Sequence, residues 1–260
     1  MDVFWTLPPV SRTITALAVT VSALGYSGMI NFSNYVFFMD YIFTIKMVPQ
    51  LWRLFTSFLI TKPKFGIILD PYFLYQYGAG LETESPRFPQ PGDFFVYTMF
   101  VGTVILGAAG VVLRSYTFLQ ALSLAFAYTY AQDNPTRQVS FFIITFDAKY
   151  LPFSMLFLTF IIDGPESAMT QLTGLIAAHL FDFLTRIWPT FGGGRNYIFT
   201  PAVVKQWFGG RPGNVTARPY GSVQQGRAPE DPASARATGR STGFGGGWDG
   251  RGPGYRLGEQ

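Results

Sequence analysis

Met47-Val48-Pro49-Gln50-Leu51-Trp52-Arg53-Leu54-Phe55-Thr56 sets an indole beside a guanidinium in an otherwise apolar neighbourhood, after one long hydrophobic run and before the next. Such a pair wants an interface. The indole can lie among headgroups with its N–H wet, and the guanidinium can hold carbonyls or phosphates. Two readings stay open here. One is a plain aromatic-belt anchor with a snorkelling arginine; the other is a segment that folds back into the bilayer edge and shapes it.

Of the 260 residues, 48% are hydrophobic, 18% aromatic and only 13% charged, with a mean hydropathy of +0.23. A soluble domain carries about a quarter charged residues, so the chain reads as a membrane protein. Its opening residues 1–9 hold one acid and no base, which is no cleavable-signal pattern, and targeting is expected to fall to the first helix. The absence of cysteine excludes disulfides, thiol nucleophiles, S-palmitoylation and cysteine zinc sites. Any mechanism that needs an imidazole must use His179, the one histidine. No cofactor, metal or nucleic-acid partner is expected.

Residues 13–30 are apolar, with small residues at Ala16, Ala18, Ala23, Gly25 and Gly28, and match the roughly 17–20 residues a spanning helix requires. Residues 31–64 are aromatic and interrupted by Asp40, Lys46, Pro49 and Arg53, the pattern of short interfacial helices in a first loop. A second span is predicted over 65–81, unusual in carrying Asp70, Gln76 and the rings of Tyr72, Phe73, Tyr75 and Tyr77. Polar groups in a span face protein or water rather than lipid, so Asp70, Tyr75, Gln76 and Tyr77 are candidates for a lateral gate or cavity. Spans follow over 94–113, 116–131, 150–162 and 167–188. In the third, Gly102, Gly107 and Gly110 allow close contact, as do Gly174 and Ala178 in the sixth. The fifth is short for a crossing at ~1.5 Å per residue, so either it tilts into thin bilayer or residues 141–146 dip in beside it.

The expected architecture is an all-α membrane domain over residues 1–190 with six crossings, an amphipathic segment over 191–208 and a disordered Gly/Pro/Arg-rich tail over 209–260. From Arg195 onward nine bases stand against four acids. That excess and Arg186 put both termini in the cytosol by the positive-inside rule, against the opposing vote of Lys46, Arg53, Lys62 and Lys64. Of two glycosylation matches, Asn31-Phe32-Ser33 hugs a membrane helix and Asn214-Val215-Thr216 falls in the cytosol, so both are expected to stay unmodified.

Several stretches in order resemble the Derlins: Leu51-Trp52-Arg53, Tyr72-Phe73-Leu74-Tyr75-Gln76-Tyr77, Leu81-Glu82-Thr83, Tyr150-Leu151-Pro152 and Gly193-Gly194-Arg195-Asn196. The similarity runs over about residues 4–207 and resumes at the last residues. It implies a rhomboid-like fold without protease activity, in the endoplasmic reticulum membrane. It also implies a role in endoplasmic-reticulum-associated degradation, in which misfolded lumenal or membrane proteins cross to the cytosol. The partners it implies are a membrane RING ubiquitin ligase complex, a p97/Cdc48-type AAA ATPase, the misfolded clients and the bilayer itself. Trp52 and Arg53 match the pair that helps fold the first loop into the membrane and thin it. Gly252, Gly254, Tyr255, Arg256, Leu257 and Gly258 resemble the family's ATPase-binding box, with Tyr255 and Leu257 offered to an apolar pocket. The box departs from the pattern in having Arg251 where an aromatic opens it, with Trp248 three residues early.

Active rhomboids use a serine within Gly-x-Ser-Gly on the fourth span and a histidine on the sixth. Here the fourth span offers Leu122-Ser123-Leu124, a helix serine expected to bond its own backbone. Aligned on the Gly174–Ala178 pattern, the catalytic position falls on Gln171, and His179 lies more than two turns further along. His179 is therefore read as a packing residue or part of a water-facing cavity. Two alternatives are kept: an active intramembrane serine protease using Ser123 or Ser115 with His179, and a membrane transporter or lipid-handling protein. Whether the chain acts alone or as a homo-oligomer is left open.

Overall fold

A computed structural model describes residues 6–42, 49–141, 144–192 and 198–208, together with the backbone of 217–218 and 221–222. Six longer helices fall on the six apolar runs. They are α1 (Pro9–Tyr26), α2 (Gly66–Glu84), α3 (Asp93–Ile105), α4 (Leu119–Asp133), α5 (Leu151–Asp163) and α6 (Pro165–Asp182). Helix α3 runs on in π-helical form over Leu106–Val112, and α6 continues through a π-helical Phe183–Ile187 into Trp188–Phe191. Among the described residues one stretch, Asp93–Val112, is long and apolar enough to cross a membrane by length and composition.

Helix α4 is the centre. Its residues are apolar and mostly small on every side, and a helix of that kind is buried all round; Ala121, Leu122, Leu124, Ala125, Phe126 and Ala127 are nearly inaccessible. It packs on α6, α2, α5 and α3, while α1 lies against α2, and α5 against α6. Gly174 of α6 meets α4 so closely that a Cβ there would run into the Ala121 carbonyl, and Ala178 is buried on the same contact. The glycines of the third run behave differently. Gly107 has nothing within 4 Å, and Gly110 faces the rings of Phe37 and Phe118 rather than a neighbouring helix.

Helix α1 starts one turn earlier than its hydropathy suggests, for two reasons. Pro9 brings a preset φ to the first helical position. The Glu82 carboxylate at the far end of α2 accepts from the amides of Val10 (2.9 Å) and Ser11 (2.8 Å) and from the Ser11 hydroxyl (2.7 Å). An acid at this place satisfies orphan N–H groups and suits the helix dipole.

The first loop contains three short turns, Phe32–Asn34, Met39–Ile42 and Arg53–Thr56. It is tied to the end of α1: Ser22 Oγ donates to Leu59 O (3.2 Å) and accepts from Thr61 N (3.0 Å), and Tyr26 OH donates to Thr61 O (2.7 Å). Ahead of α5 the chain forms strands rather than helix. Gln138–Phe141 (β1) and Ile144–Asp147 (β2) pair antiparallel, Gln138 opposite Asp147, and α5 begins only after them. The β-branched and aromatic residues of this stretch favour that pairing. At 13 residues, α5 is about 20 Å long, short of the roughly 30 Å of a hydrocarbon core.

By its contacts the chain divides into two units, Met1–Pro212 and Gly213–Gln260. In the first, Ala202–Trp207 forms a short helix, with Phe208 against Phe95 (5.6 Å between ring centroids) and Val204 against Gly92. In the second, Ala217–Arg218 (β3) pairs antiparallel with Gly221–Ser222 (β4). The ATPase-binding box residues Gly252, Gly254, Tyr255, Arg256, Leu257 and Gly258 lie outside the described residues. So do Gly193-Gly194-Arg195-Asn196 and the second glycosylation match.

Candidate functional site

Arg53 does not snorkel. It is 3% exposed, and its Nη1 donates to the carbonyls of Ser33 (2.6 Å) and Val36 (2.8 Å) while Nε donates to Gln50 Oε1 (2.6 Å). The rings of Tyr41 and Phe38 lie 5.1 and 5.7 Å from the guanidinium carbon, a cation–π arrangement. A planar fork with several donors in fixed directions joins two chain segments in this way; an ammonium lacks that fixed geometry. Trp52 is half exposed and gives its Nε1 to Asn34 O at 3.2 Å. The pair therefore clasps residues 33–36 onto 50–56, helped by Thr56 Oγ1 on Tyr35 O (2.9 Å). The loop so held carries exposed Met39, Tyr41, Leu51, Trp52 and Phe55, an apolar rim.

The second feature is a cleft between α2 and α5, floored by α4 and α6. Helices α2 and α5 make almost no direct contact with each other. Asp70, Gln120, Ser123, Asp163 and Gln171 line the cleft, alongside apolar Phe73 and Met155. Gln120 Nε2 donates to Asp163 Oδ2 (2.9 Å) and Asp70 Oδ1 (3.4 Å), and the Lys62 amide donates to Asp70 Oδ2 (3.0 Å). At the hairpin, Phe141 stacks on Phe73 with centroids 5.2 Å apart.

Of the candidates on α2, only Asp70 lines this cleft. Gln76 is exposed, Tyr75 is partly buried, and Tyr77 is buried against Phe73 and Tyr130 (6.1 and 5.4 Å between centroids). His179 does not line the cleft either. It is exposed outside the cleft, and its Nδ1 shares a hydrogen bond with Tyr128 OH at 2.9 Å. The reason is rotational: Tyr75 and Gln76, five and six positions beyond Asp70, and His179, eight beyond Gln171, do not return to the same helix face, while Tyr77 returns to it two turns further along. Ser123 does not bond its own backbone; its Oγ points to the Asp70 carbonyl across the interface, at 3.5 Å. Ser115 shares a hydrogen bond with Thr170 Oγ1 (2.6 Å).

Three groups escaped sequence reasoning. Gln120 and Asp163 sit at the ends of their apolar runs, where a polar residue reads as a boundary. Arg87, in a Pro-rich loop, is half-buried and paired to Asp133 and to Asp182 (2.7 Å), joining that loop to α4 and α6. A lone arginine in such a loop, with single acids closing two helices, was the available signal.

Against known proteins, the model of the Der1-like family matches residues 7–202. The chain belongs to the Der1-like family. It is similar to Derlin-1 of Homo sapiens, 32% identical over 264 residues that cover 100% of this chain and 98% of that protein. The Derlin-1 of Bos taurus is equally similar, at 32% over the same coverage. A probable derlin-1 homolog of Dictyostelium discoideum is 29% identical, covering 83% of this chain and 89% of its own length. The Derlin-like role in endoplasmic-reticulum-associated degradation rests on these matches. For this Der1-like chain, membrane residence, a largely helical rhomboid-like fold and membership of a pseudoprotease family follow together.

Proposed function

We propose that the protein is a non-catalytic retrotranslocation component of endoplasmic-reticulum-associated degradation. It crosses the endoplasmic reticulum membrane six times with both termini in the cytosol, and passes misfolded lumenal or membrane proteins to a cytosolic AAA ATPase and the ubiquitin–proteasome system. The observation that carries this reading is the polar-lined cleft between α2 and α5, two helices that barely touch. A bundle open at one side admits a client segment laterally, and Asp70 with Gln120 and Asp163 keeps the entrance polar. The loop clasped by Arg53 lays its apolar rim into the adjacent leaflet, and a short α5 favours thin bilayer there. Tyr75, Gln76 and Tyr77 continue the gate helix beyond Asp70, and the terminal box docks the ATPase. A membrane RING ubiquitin ligase complex is the neighbouring partner.

The protease reading is disfavoured by His179, which is bonded to Tyr128 and faces away from the cleft that holds Ser123. The test is the decay of a misfolded lumenal reporter in cells lacking their own Derlin. Arg53→Ala and truncation before Gly252 should each prolong the reporter half-life, while His179→Ala should leave it unchanged and no fragment should appear. A fragment that vanishes in His179→Ala would make the protein a protease. Undiminished decay with the truncated tail would favour transport or lipid handling.

A further inference from the structure

One polar atom in the cleft has no partner in the protein. Gln171 is 3% exposed, and its Oε1 is buried with nothing to bond. It lines the cleft together with Asp70, Gln120, Ser123 and Asp163. Gln120 Nε2 bridges the two aspartates and the Ser123 hydroxyl is turned to the Asp70 carbonyl, so neither meets Gln171 Oε1. The nearby Lys62 ammonium reaches Ser167 Oγ instead, at 3.4 Å. The cleft thus gathers oxygen acceptors from α2, α5 and α6, two of them carboxyl groups, with the Thr159 hydroxyl beside them. Buried acceptors of this kind call for a donor, and a charged one bonds them best.

Space narrows the choice further. The room within the cleft is ≈ 30 Å³, enough for one water-sized group. An ammonium has that size and three N–H donors; a guanidinium is a larger plane with a fixed fork. The way in lies between α2 and α5, where Leu69, Phe73, Met155 and Leu158 offer an apolar wall to an alkyl stem. A lysine stem lies along such a wall while its head seeks polar groups.

We propose that this cleft is a site for the primary ammonium of a lysine carried by a client membrane segment, held by Gln171 Oε1 and the Asp70 and Asp163 carboxyl groups. The inference rests on the client-passage reading above. It gives the passage a selectivity: a lone lysine, costly in lipid, finds partners here. Asp70 stands one turn into α2, and Asp163 closes α5 at the same end of the bundle. The site is therefore at one depth, toward the end of the bundle opposite the start of α1, which is bonded to Glu82 at the far end of α2.

The test uses the full chain in lipid nanodiscs and a set of single-span helices, each with one Lys, Arg or Met walked along its length. Binding of the Lys helix should exceed that of the Met helix by about tenfold when the lysine stands level with Asp70, and should fall away one turn to either side. The Arg helix should behave like the Met helix. In Gln171→Leu and in Asp163→Asn the Lys/Met ratio should drop toward one, and excess methylammonium should lower it in the wild type. A wild-type ratio of one, a flat depth profile or equal preference for Arg overturns the proposal. Methylammonium binding without discrimination among helices makes the occupant a free cation and overturns it too. If no helix binds at all, the client-passage reading fails; if all bind alike, only the lysine site does.

Discussion

Arg53 and Ser33, twenty positions apart, are joined by a 2.6 Å hydrogen bond from Nη1 to the carbonyl oxygen, inside a pocket closed by two aromatic rings. The Trp-Arg pair is thus unequal: the arginine organises the loop from within, and the tryptophan presents it to the surroundings.

Arg53→Lys should therefore behave nearly as badly as Arg53→Ala. Alanine abandons the hydrogen bonds to Ser33, Val36 and Gln50, and an ammonium lacks the fixed fork that meets all three at once; charged hydrogen bonds are worth about 1.5–3 kcal/mol apiece. Trp52→Phe loses one neutral bond and should cost roughly 1 kcal/mol or less. Thermal unfolding midpoints in detergent should rank wild type, Trp52→Phe, then both Arg53 variants. Arg53→Lys at wild-type stability would show that the bidentate clasp does not matter.

Arg87→Met should destabilise by about 1–3 kcal/mol, because it leaves Asp133 and Asp182 partly buried without their partner. Adding Asp133→Leu should recover part of that loss, since a buried pair replaced by apolar groups is often nearly neutral. Unfolding of the single and double variants, compared in one detergent, reads this out.

Glu82→Gln keeps the shape of the side chain but removes the charge that holds the start of α1. About 1 kcal/mol should be lost, within the range of a helix-end charge and cap. Amide exchange should quicken at Val10 and Ser11 well before it does in α4. Unaltered exchange at those two amides would mean the cap contributes nothing.

Gly174→Val should abolish accumulation of folded protein, because its side chain meets the Ala121 carbonyl on the most extensive contact in the bundle. Gly107→Ala, into open space, should be tolerated or gain up to about 1 kcal/mol from reduced freedom of the unfolded chain. The two glycines look alike in sequence, so opposite outcomes in expression and melting test the packing directly.

The sequence by itself determined the existence, order and approximate length of the six helices, because apolar runs of that length in a chain so poor in charge leave few other options. Its motifs in order also determined the family, and Gly174 and Ala178 announced a close helix contact. Tertiary structure alone decided which way each helix faces. In a soluble helix the polar side marks the outside, but α2 and α4 are apolar nearly all round and lipid is as apolar as a core. Periodicity then loses its meaning. For that reason Gln76 and His179, conspicuous in sequence, turn outward, while Gln120, Asp163 and Gln171, from three different helices, meet Asp70 in the cleft. The same holds for Arg53: nothing local distinguishes a snorkelling arginine from a buried one. Only the folding back of residues 33–36 supplies the carbonyls that make burial favourable.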